Sequence, residues 1–248
     1  MRLFWTILFG TVPLLGVWFY WWAWREAMWL PDDVSTHGYE IDSLFNQIMW
    51  ITGIVFVATE VALGWFIWKY SRGAPAHYTH GNHRVEMIWS VVPALILAYI
   101  AWAQYGSWKR IKFQRNFPDV PVLAEITAQQ FDWRFKYAGE DGAFGTRDDV
   151  HSVYDLHVPV NEPVVADLLS RDVLHSFFLP QLRVKQDAVP GLRIPIWFEA
   201  TKVGEYDLVC AELCGWGHYK MAGRLIVESR ADFDAWLSAT AAEQERSR

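Results

Sequence analysis

The 248-residue chain contains only two cysteines, and this scarcity excludes several kinds of site. Two thiols cannot form a disulfide-rich scaffold, and alone they cannot supply a four-thiolate zinc site. The sequence has no C-x-x-C-H motif, so it attaches no c-type haem by that route. Charge is also scarce, with 20% charged residues and a formal net charge of -6. Because phosphate contacts need Lys and Arg, we expect no nucleic-acid partner.

Apolar and aromatic residues are abundant instead. Hydrophobic residues make up 52% of the chain, and 16 residues are Trp. They are concentrated in three runs, 3–24, 44–68 and 87–108, each of about the 20 residues that a bilayer-spanning helix needs. Trp and Tyr cluster at the ends of the runs, as in the aromatic belts of membrane interfaces. We therefore predict that residues 1–108 form a transmembrane anchor in contact with lipid.

The first run allows two interpretations. It exceeds the apolar core of a signal peptide and no clear small-x-small cleavage site follows, which favours a retained helix; a cleaved signal peptide is the alternative. The loop after the second run carries Lys69, Arg72 and Arg84 without an acid, so the positive-inside rule places it in the cytoplasm. This predicts a multi-pass protein of a bacterial-type inner membrane, with its C-terminal domain on the periplasmic side.

Beyond a linker at 109–118, short segments rich in Val, Ile, Phe and Tyr alternate with turn residues. The predicted strands are 122–127, 131–137, 155–158, 164–169, 192–199, 206–209 and 224–227. Many short strands with few helices indicate a β-sandwich or barrel, which we place at 119–228. The tail, 229–248, is predicted to be helical, with Ser229 as its N-cap and Phe233 and Trp236 on one face.

Both cysteines fall in one segment, Cys210-Ala-Glu-Leu-Cys214-Gly-Trp-Gly-His218-Tyr-Lys-Met221. Thiolate and thioether are the soft ligands that select copper, whereas zinc or an iron–sulfur cluster would normally need more cysteines. Two bridging thiolates can hold two metals, and one further His is then needed. His175 is the candidate. The other six histidines outside the segment lie in predicted loops or strands without further candidate ligands beside them: His37, His77, His80, His83, His151 and His157.

These segments resemble subunit II of the haem-copper cytochrome c oxidases. The spacing C-x-E-x-C-x-x-x-H-x-x-M matches that family's dinuclear copper (CuA) motif, and D-V-L-H-S at 172–176 matches its upstream ligand segment. The stretch 184–191 resembles the segment between them, and 86–93 is similar to the family's second transmembrane helix. The resemblance covers about residues 40–228.

The resemblance implies a cupredoxin-like Greek-key domain and a set of copper ligands. These are the side chains of His175, Cys210, Cys214, His218 and Met221 and the backbone carbonyl of Glu212. The side chain of Glu212 is expected to face a magnesium ion at the border with subunit I.

The resemblance also implies a function. The chain would take single electrons from a c-type cytochrome and pass them to haem in subunit I, where oxygen is reduced to water. The enzyme, an oxidoreductase and translocase that also contains subunit III, would be the complex, and this chain would carry only electron transfer. Glu86 matches the acid at the cytoplasmic mouth of a proton channel.

The segment 130–137 matches the aromatic cluster through which electrons enter in the family. Trp133 is kept, but Phe131 stands where the family usually has Trp. This departure favours a donor cytochrome that is membrane-bound or held in a supercomplex. The chain has no haem motif of its own, so we expect the donor to be a separate chain.

Several alternatives remain at this stage. The cysteines could form a disulfide in an oxidising compartment. The chain could be a CuA-bearing subunit of a nitric-oxide reductase or a structural subunit II of the quinol-oxidase type. A Sco-type copper chaperone is disfavoured, because such proteins have a thioredoxin-like βαβ pattern and the outer domain shows too few helices for it. Glu60, within the second apolar run, is expected to contact a partner helix. For the acidic loop 140–149, a hairpin turn is favoured over a calcium site.

Overall fold

The computed structural model describes residues 2–26, 28–71, 73, 75 and 78–247. Arg72, used above for topology, and His77 lie outside the described residues. The chain divides into two units. One comprises Met1–Pro31 and Asp42–Gly106, and the other comprises Asp32–Ile41 and Ser107–Arg248.

Three long helices account for the apolar runs: α1 (Arg2–Arg25), α2 (Gly38–Tyr70) and α3 (His83–Lys112). At 1.5 Å per residue, even the 24 residues of α1 exceed the roughly 30 Å of a bilayer core. Their apolar windows are almost wholly exposed, with 6%, 6% and 0% of the residues buried. Apolar surface on that scale belongs in lipid rather than water. The prediction of three apolar N-terminal helices is confirmed.

Helices α1 and α2 approach closely through glycine. A Cβ atom built on Gly64 of α2 would lie 3.8 Å from the backbone nitrogen of Gly10 in α1. Small residues at such a contact allow the two backbones to pack in the absence of a hydrophobic driving force. One carboxylate oxygen of Glu60 is buried and has no hydrogen-bond partner among the described residues. The contact of Glu60 with a partner helix stays a prediction.

In the part of the chain that the structure describes, ten strands and a terminal helix make up most of the second unit. They are β1 (Val122–Gln129), β2 (Asp132–Tyr137), β3 (Val150–Val153), β4 (Asp155–Pro159), β5 (Pro163–Ser170), β6 (His175–Leu179), β7 (Val184–Ala188), β8 (Ile194–Glu199), β9 (Gly204–Cys210), β10 (Ala222–Glu228) and α4 (Arg230–Arg246). One sheet has the order β3-β2-β1-β5-β8 and the other β4-β10-β9-β6-β7. Each contains one parallel pair, β1 with β5 and β4 with β10. All seven sequence-predicted strands overlap observed ones, whereas β3, β6 and β7 were not predicted.

Alternation along the strands fills the core of this unit. In β2, Trp133, Phe135 and Tyr137 point inward while Arg134 points to solvent. Phe233 of α4 joins the same core, and Ser229 caps α4 by accepting a hydrogen bond from the amide of Asp232, as predicted.

The segment before α2 also packs on the strands. Val34 is 2% exposed; its amide donates to the carbonyl of Gln181, and its carbonyl accepts from the amide of Thr201. Residues 32–41 are thus part of the β unit rather than a free connection.

The acids of loop 140–149 accept hydrogen bonds from the loop itself. Asp149 accepts from the amide of Gly145 at 2.8 Å, and Asp148 accepts from the hydroxyl of Thr146 at 2.8 Å. Gly142 and Gly145 have φ of 67° and 84°, values that favour glycine. These contacts are typical of a glycine-containing turn.

Candidate metal centre

Two neighbouring strands and one loop position the candidate ligands. His175 begins β6 and Cys210 ends β9, and the antiparallel pairing of Phe177 with Cys210 brings these strand ends together. The loop that follows β9 turns back through a short 3-10 helix, His218–Lys220. It is closed by a hydrogen bond from the amide of Cys210 to the carbonyl of Met221 at 3.1 Å. Pairing of β6 with β9 therefore joins residues that are 35 positions apart.

The donor atoms of the predicted ligands converge. The Cys210 and Cys214 sulfurs are 3.8 Å apart. His175 Nδ1 lies 3.9 Å from Cys210 Sγ, and the carbonyl oxygen of Glu212 lies 3.2 Å from the same sulfur.

Around the second sulfur the arrangement is similar. His218 Nδ1 is 3.6 Å and Met221 Sδ is 3.7 Å from Cys214 Sγ. Within the described part of the chain, His175, Cys210 and Cys214 form the one group of three or more His, Cys, Asp or Glu side chains close enough to hold a metal. Both cysteines are free, so the disulfide alternative is not what the structure contains.

Burial determines the chemistry of the thiols. His175 is fully buried, and Cys210, Cys214 and Met221 are each less than a tenth exposed. Burial, with repulsion from Cys210, raises the pKa of the Cys214 thiol to about 11. Such a thiol stays protonated at neutral pH unless a bound cation displaces the proton. Thiol, imidazole and thioether donors in one buried cluster fit copper.

Asp172 orients the buried imidazole, a role that sequence reasoning missed. Its carboxylate is 2.8 Å from His175 Nε2 and accepts a hydrogen bond from the amide of Gln130 at 2.7 Å. This contact leaves Nδ1 of His175 facing the sulfurs, as in the carboxylate–histidine–metal arrangements of metalloproteins. Burial raises the pKa of Asp172, but these hydrogen bonds outweigh it and hold the pKa below its usual range. The available sequence signal was a carboxylate three residues before the histidine.

The two aromatic residues predicted for electron transfer occupy different environments. Trp133 is fully buried, with its ring edge-on to that of His175 at a centroid distance of 6.3 Å. Phe131 is half-buried and lies against the ligand loop. A Cβ on Gly217 would come within 2.5 Å of the Phe131 ring, and Gly215 has φ of 135°. Only glycine at these positions allows the ring to pack on the backbone.

Glu86 is not among the residues that the metal centre gathers. It belongs to the helical unit, in the first turn of α3, where its side chain is 46% exposed and lies 3.8 Å from His83 Nδ1.

Comparison with known proteins identifies the family. The chain is 34% identical over 244 residues to the alternative cytochrome c oxidase subunit 2 of Bradyrhizobium diazoefficiens, covering 88% of this chain and 83% of the relative. The chain belongs to the cytochrome c oxidase subunit II family. Models of that subunit's periplasmic and transmembrane domains match residues 127–229 and 22–105.

Other subunit II proteins are similar. Cytochrome c oxidase subunit 2 of Alkalihalophilus pseudofirmus is 36% identical, over 89% of this chain and 61% of that protein, and its counterpart in Cereibacter sphaeroides is 29% identical, over 77% and 75%. Among solved structures, the periplasmic domain of subunit II of the Bradyrhizobium japonicum oxidase aligns with 26% identity and a TM-score of 0.45, over 51% of this chain and 97% of that domain.

Family membership confirms the predicted fold class and location. Apolar N-terminal helices anchor the protein in the membrane, and a cupredoxin-like domain lies on the periplasmic side. Membership also implies a copper centre, for which His175, Cys210, Cys214 and Met221 are positioned.

Proposed function

We propose that this chain is the subunit of a haem-copper cytochrome c oxidase that takes in electrons, and that it holds a dinuclear copper centre of the CuA type. The observation that carries the proposal is the pairing of donors around two sulfurs. Cys210 has His175 and the Glu212 carbonyl as neighbours, and Cys214 has His218 and Met221. Two sulfurs with separate neighbours support two metal positions rather than one. Bound copper supplies one-electron chemistry.

The protein fixes the positions of these ligand atoms. Asp172 fixes the ring of His175, and the amide of Ala211 donates to the carbonyl of Ser176 at 2.9 Å, which ties the loop to β6. Burial keeps water from the sulfurs. Ligands held in this way move little when the charge of the centre changes by one, and this rigidity favours fast electron transfer.

The assembly proposed for the chain follows the family. Subunit I would receive the electrons at its haem, subunit III would complete the core, and a c-type cytochrome on a separate chain, membrane-bound or held in a supercomplex, would deliver them. Phe131 and Trp133 are proposed to assist electron transfer, which their contacts with the ligand loop and His175 support.

Two carboxylates are proposed to serve the interface with subunit I. The half-buried side chain of Glu212 would face magnesium, and Glu86 would stand at the mouth of a proton channel. The exposure of Glu86 at the start of α3 leaves its carboxylate available for such a role.

The test is to purify the intact complex and measure its copper content and paramagnetic resonance spectrum. We expect two coppers per chain beyond those of a matched complex carrying Cys210→Ser and Cys214→Ser, with one unpaired electron shared between them. The single change Cys214→Ser should abolish the shared signal because it removes one of the two sulfurs. One copper or none in the wild-type chain, with a Cys210–Cys214 disulfide, would contradict the proposal.

A further inference from the structure

The ligand loop exposes three large apolar side chains to solvent. Leu213, Trp216 and Tyr219 are 77%, 77% and 83% exposed, and we call them the 213–219 patch. Over residues 113–247, as far as the structure describes them, they are the three most exposed large apolar side chains, ahead of Val203 at 63%. The loop that carries the ligands therefore also carries the most exposed apolar surface of the domain.

Trp216 lies at the centre of this loop, two residues from Cys214 and two from His218. Its ring packs edge-on against Phe131 at a centroid distance of 5.3 Å, and Lys220 Nζ lies 4.8 Å from its centroid. These contacts orient the indole without burying it. The residues on either side, 215 and 217, are glycines, so no neighbouring Cβ shields the ring.

Exposed apolar patches mark sites of interaction, and Trp is among the residues that most often dominate binding energy in protein interfaces. Neither residue of the 130–137 segment proposed for electron transfer offers such a surface. Trp133 is fully buried, and Phe131 is half-covered by the loop itself. A protein that delivers electrons to this centre would meet Trp216 before it met either of them.

We propose that Trp216 is the donor-contact residue of this chain, with Leu213 and Tyr219 completing the apolar surface on which a c-type cytochrome docks. The inference rests on the proposed function and adds the place of docking. The donor's ferrous haem loses one electron and becomes ferric, and the copper centre is reduced by one electron; no bond forms or breaks. The haem edge must come close to the ligands, and the loop backbone links Trp216 directly to Cys214 and His218.

The experiment uses the intact complex and two reductants. A reduced soluble monohaem cytochrome c tests protein docking, and hexaammineruthenium(II) tests the centre itself, because so small a reductant needs no docking surface. Trp216→Ala should lower the second-order rate constant with the cytochrome at least tenfold and leave reduction by ruthenium and the copper spectrum unchanged. Trp216→Phe, which keeps an aromatic ring, should retain more of the rate.

The matched control is Val203→Ser, which removes an exposed apolar side chain outside the 213–219 patch and should leave both rates unchanged. A wild-type rate with cytochrome c in Trp216→Ala, with its copper intact, would overturn the inference while leaving the proposed function standing. A wild-type complex that ruthenium reduces but the soluble cytochrome c does not would overturn the inference, while the proposed function, whose donor is membrane-bound or held in a supercomplex, would stand. A wild-type complex that neither reductant reduces would overturn the proposed function, and the inference with it. An equal loss of rate in Val203→Ser would show a general surface effect and would also overturn the inference.

Discussion

The β domain contains two similar groupings of a histidine, a carboxylate and a tryptophan. In the first, His175 Nε2 lies 2.8 Å from Asp172, and Trp133 lies edge-on to the imidazole. In the second, His157 Nδ1 lies 2.9 Å from Glu228 Oε1, and Trp236 of α4 stacks on the imidazole at 3.7 Å with an interplanar angle of 9°.

The groupings differ in what surrounds the histidine. His175 presents its second nitrogen to a thiol. The backbone of His157 is held by Tyr137, whose hydroxyl accepts from the amide of His157 at 2.8 Å and donates to its carbonyl at 3.0 Å. No cysteine belongs to this second grouping, since the chain's two lie by His175. A buried histidine with a carboxylate partner is therefore not by itself a metal site; the sulfur neighbours make the difference.

The largest expected contrast comes from removing each carboxylate. Asp172→Ala should weaken copper retention about 10–100-fold, as losses of such outer partners typically do, because His175 loses its orientation. Glu228→Ala, the matched change at His157, should leave copper retention unchanged. Copper remaining after titration with a chelator measures both. Equal copper retention in Asp172→Ala and Glu228→Ala would contradict the difference proposed between the groupings at His175 and His157.

An intermediate effect is expected from the tryptophan that docks α4. Trp236→Ala removes the stack on His157 and the contact with Tyr137, and should cost about 2 kcal/mol of folding stability. Trp216→Ala is the control, because that side chain is 77% exposed and should cost little. Thermal unfolding of the copper-loaded complexes, followed at the copper absorption, compares them. A stability loss in Trp216→Ala as large as in Trp236→Ala would contradict this assignment.

The smallest expected effect is a pH dependence of folding stability at the start of α4. A hydrogen bond from Arg230, the first residue of α4, lowers the pKa of Glu162. Because the folded pKa lies below the unfolded value, this contribution is present at neutral pH and is lost as the pH falls through the folded pKa. Exposure of both side chains keeps it small.

Hydrogen exchange in α4 measures this effect across pH. The protection factor of the α4 amides, which is the intrinsic exchange rate at each pH divided by the observed rate, should fall in acid for the wild type and depend less on pH in Glu162→Gln. Glu243→Gln, a change elsewhere on α4, serves as the control and should follow the wild type. An unchanged acid dependence in Glu162→Gln would show that the ion pair does not hold the helix.

Periodicity predicted much of the architecture, and its failures have physical causes. Long apolar runs identified the helices, and alternation identified strands such as β2, which is buried on one face. It missed β6, in which four of five residues are buried, because a strand covered on both faces does not alternate. It missed β7, Val184–Ala188, whose middle three residues are polar.

The sequence by itself determined the local part of the centre. The spacing from Cys210 to Met221 places two thiols, an imidazole and a thioether in one loop, whatever the rest of the chain does. Three features were decided only by the tertiary structure. Pairing of β6 with β9 brings His175 to that loop, and the turn before β6 aims Asp172 at its ring. Trp133 and Trp216 are the same residue type in sequence, yet the strand buries one in the core and the glycine-flanked loop leaves the other in solvent. The distance between two residues across a sheet, and the exposure of a side chain, depend on which distant parts of the chain pack against them. Periodicity along the sequence does not contain that information.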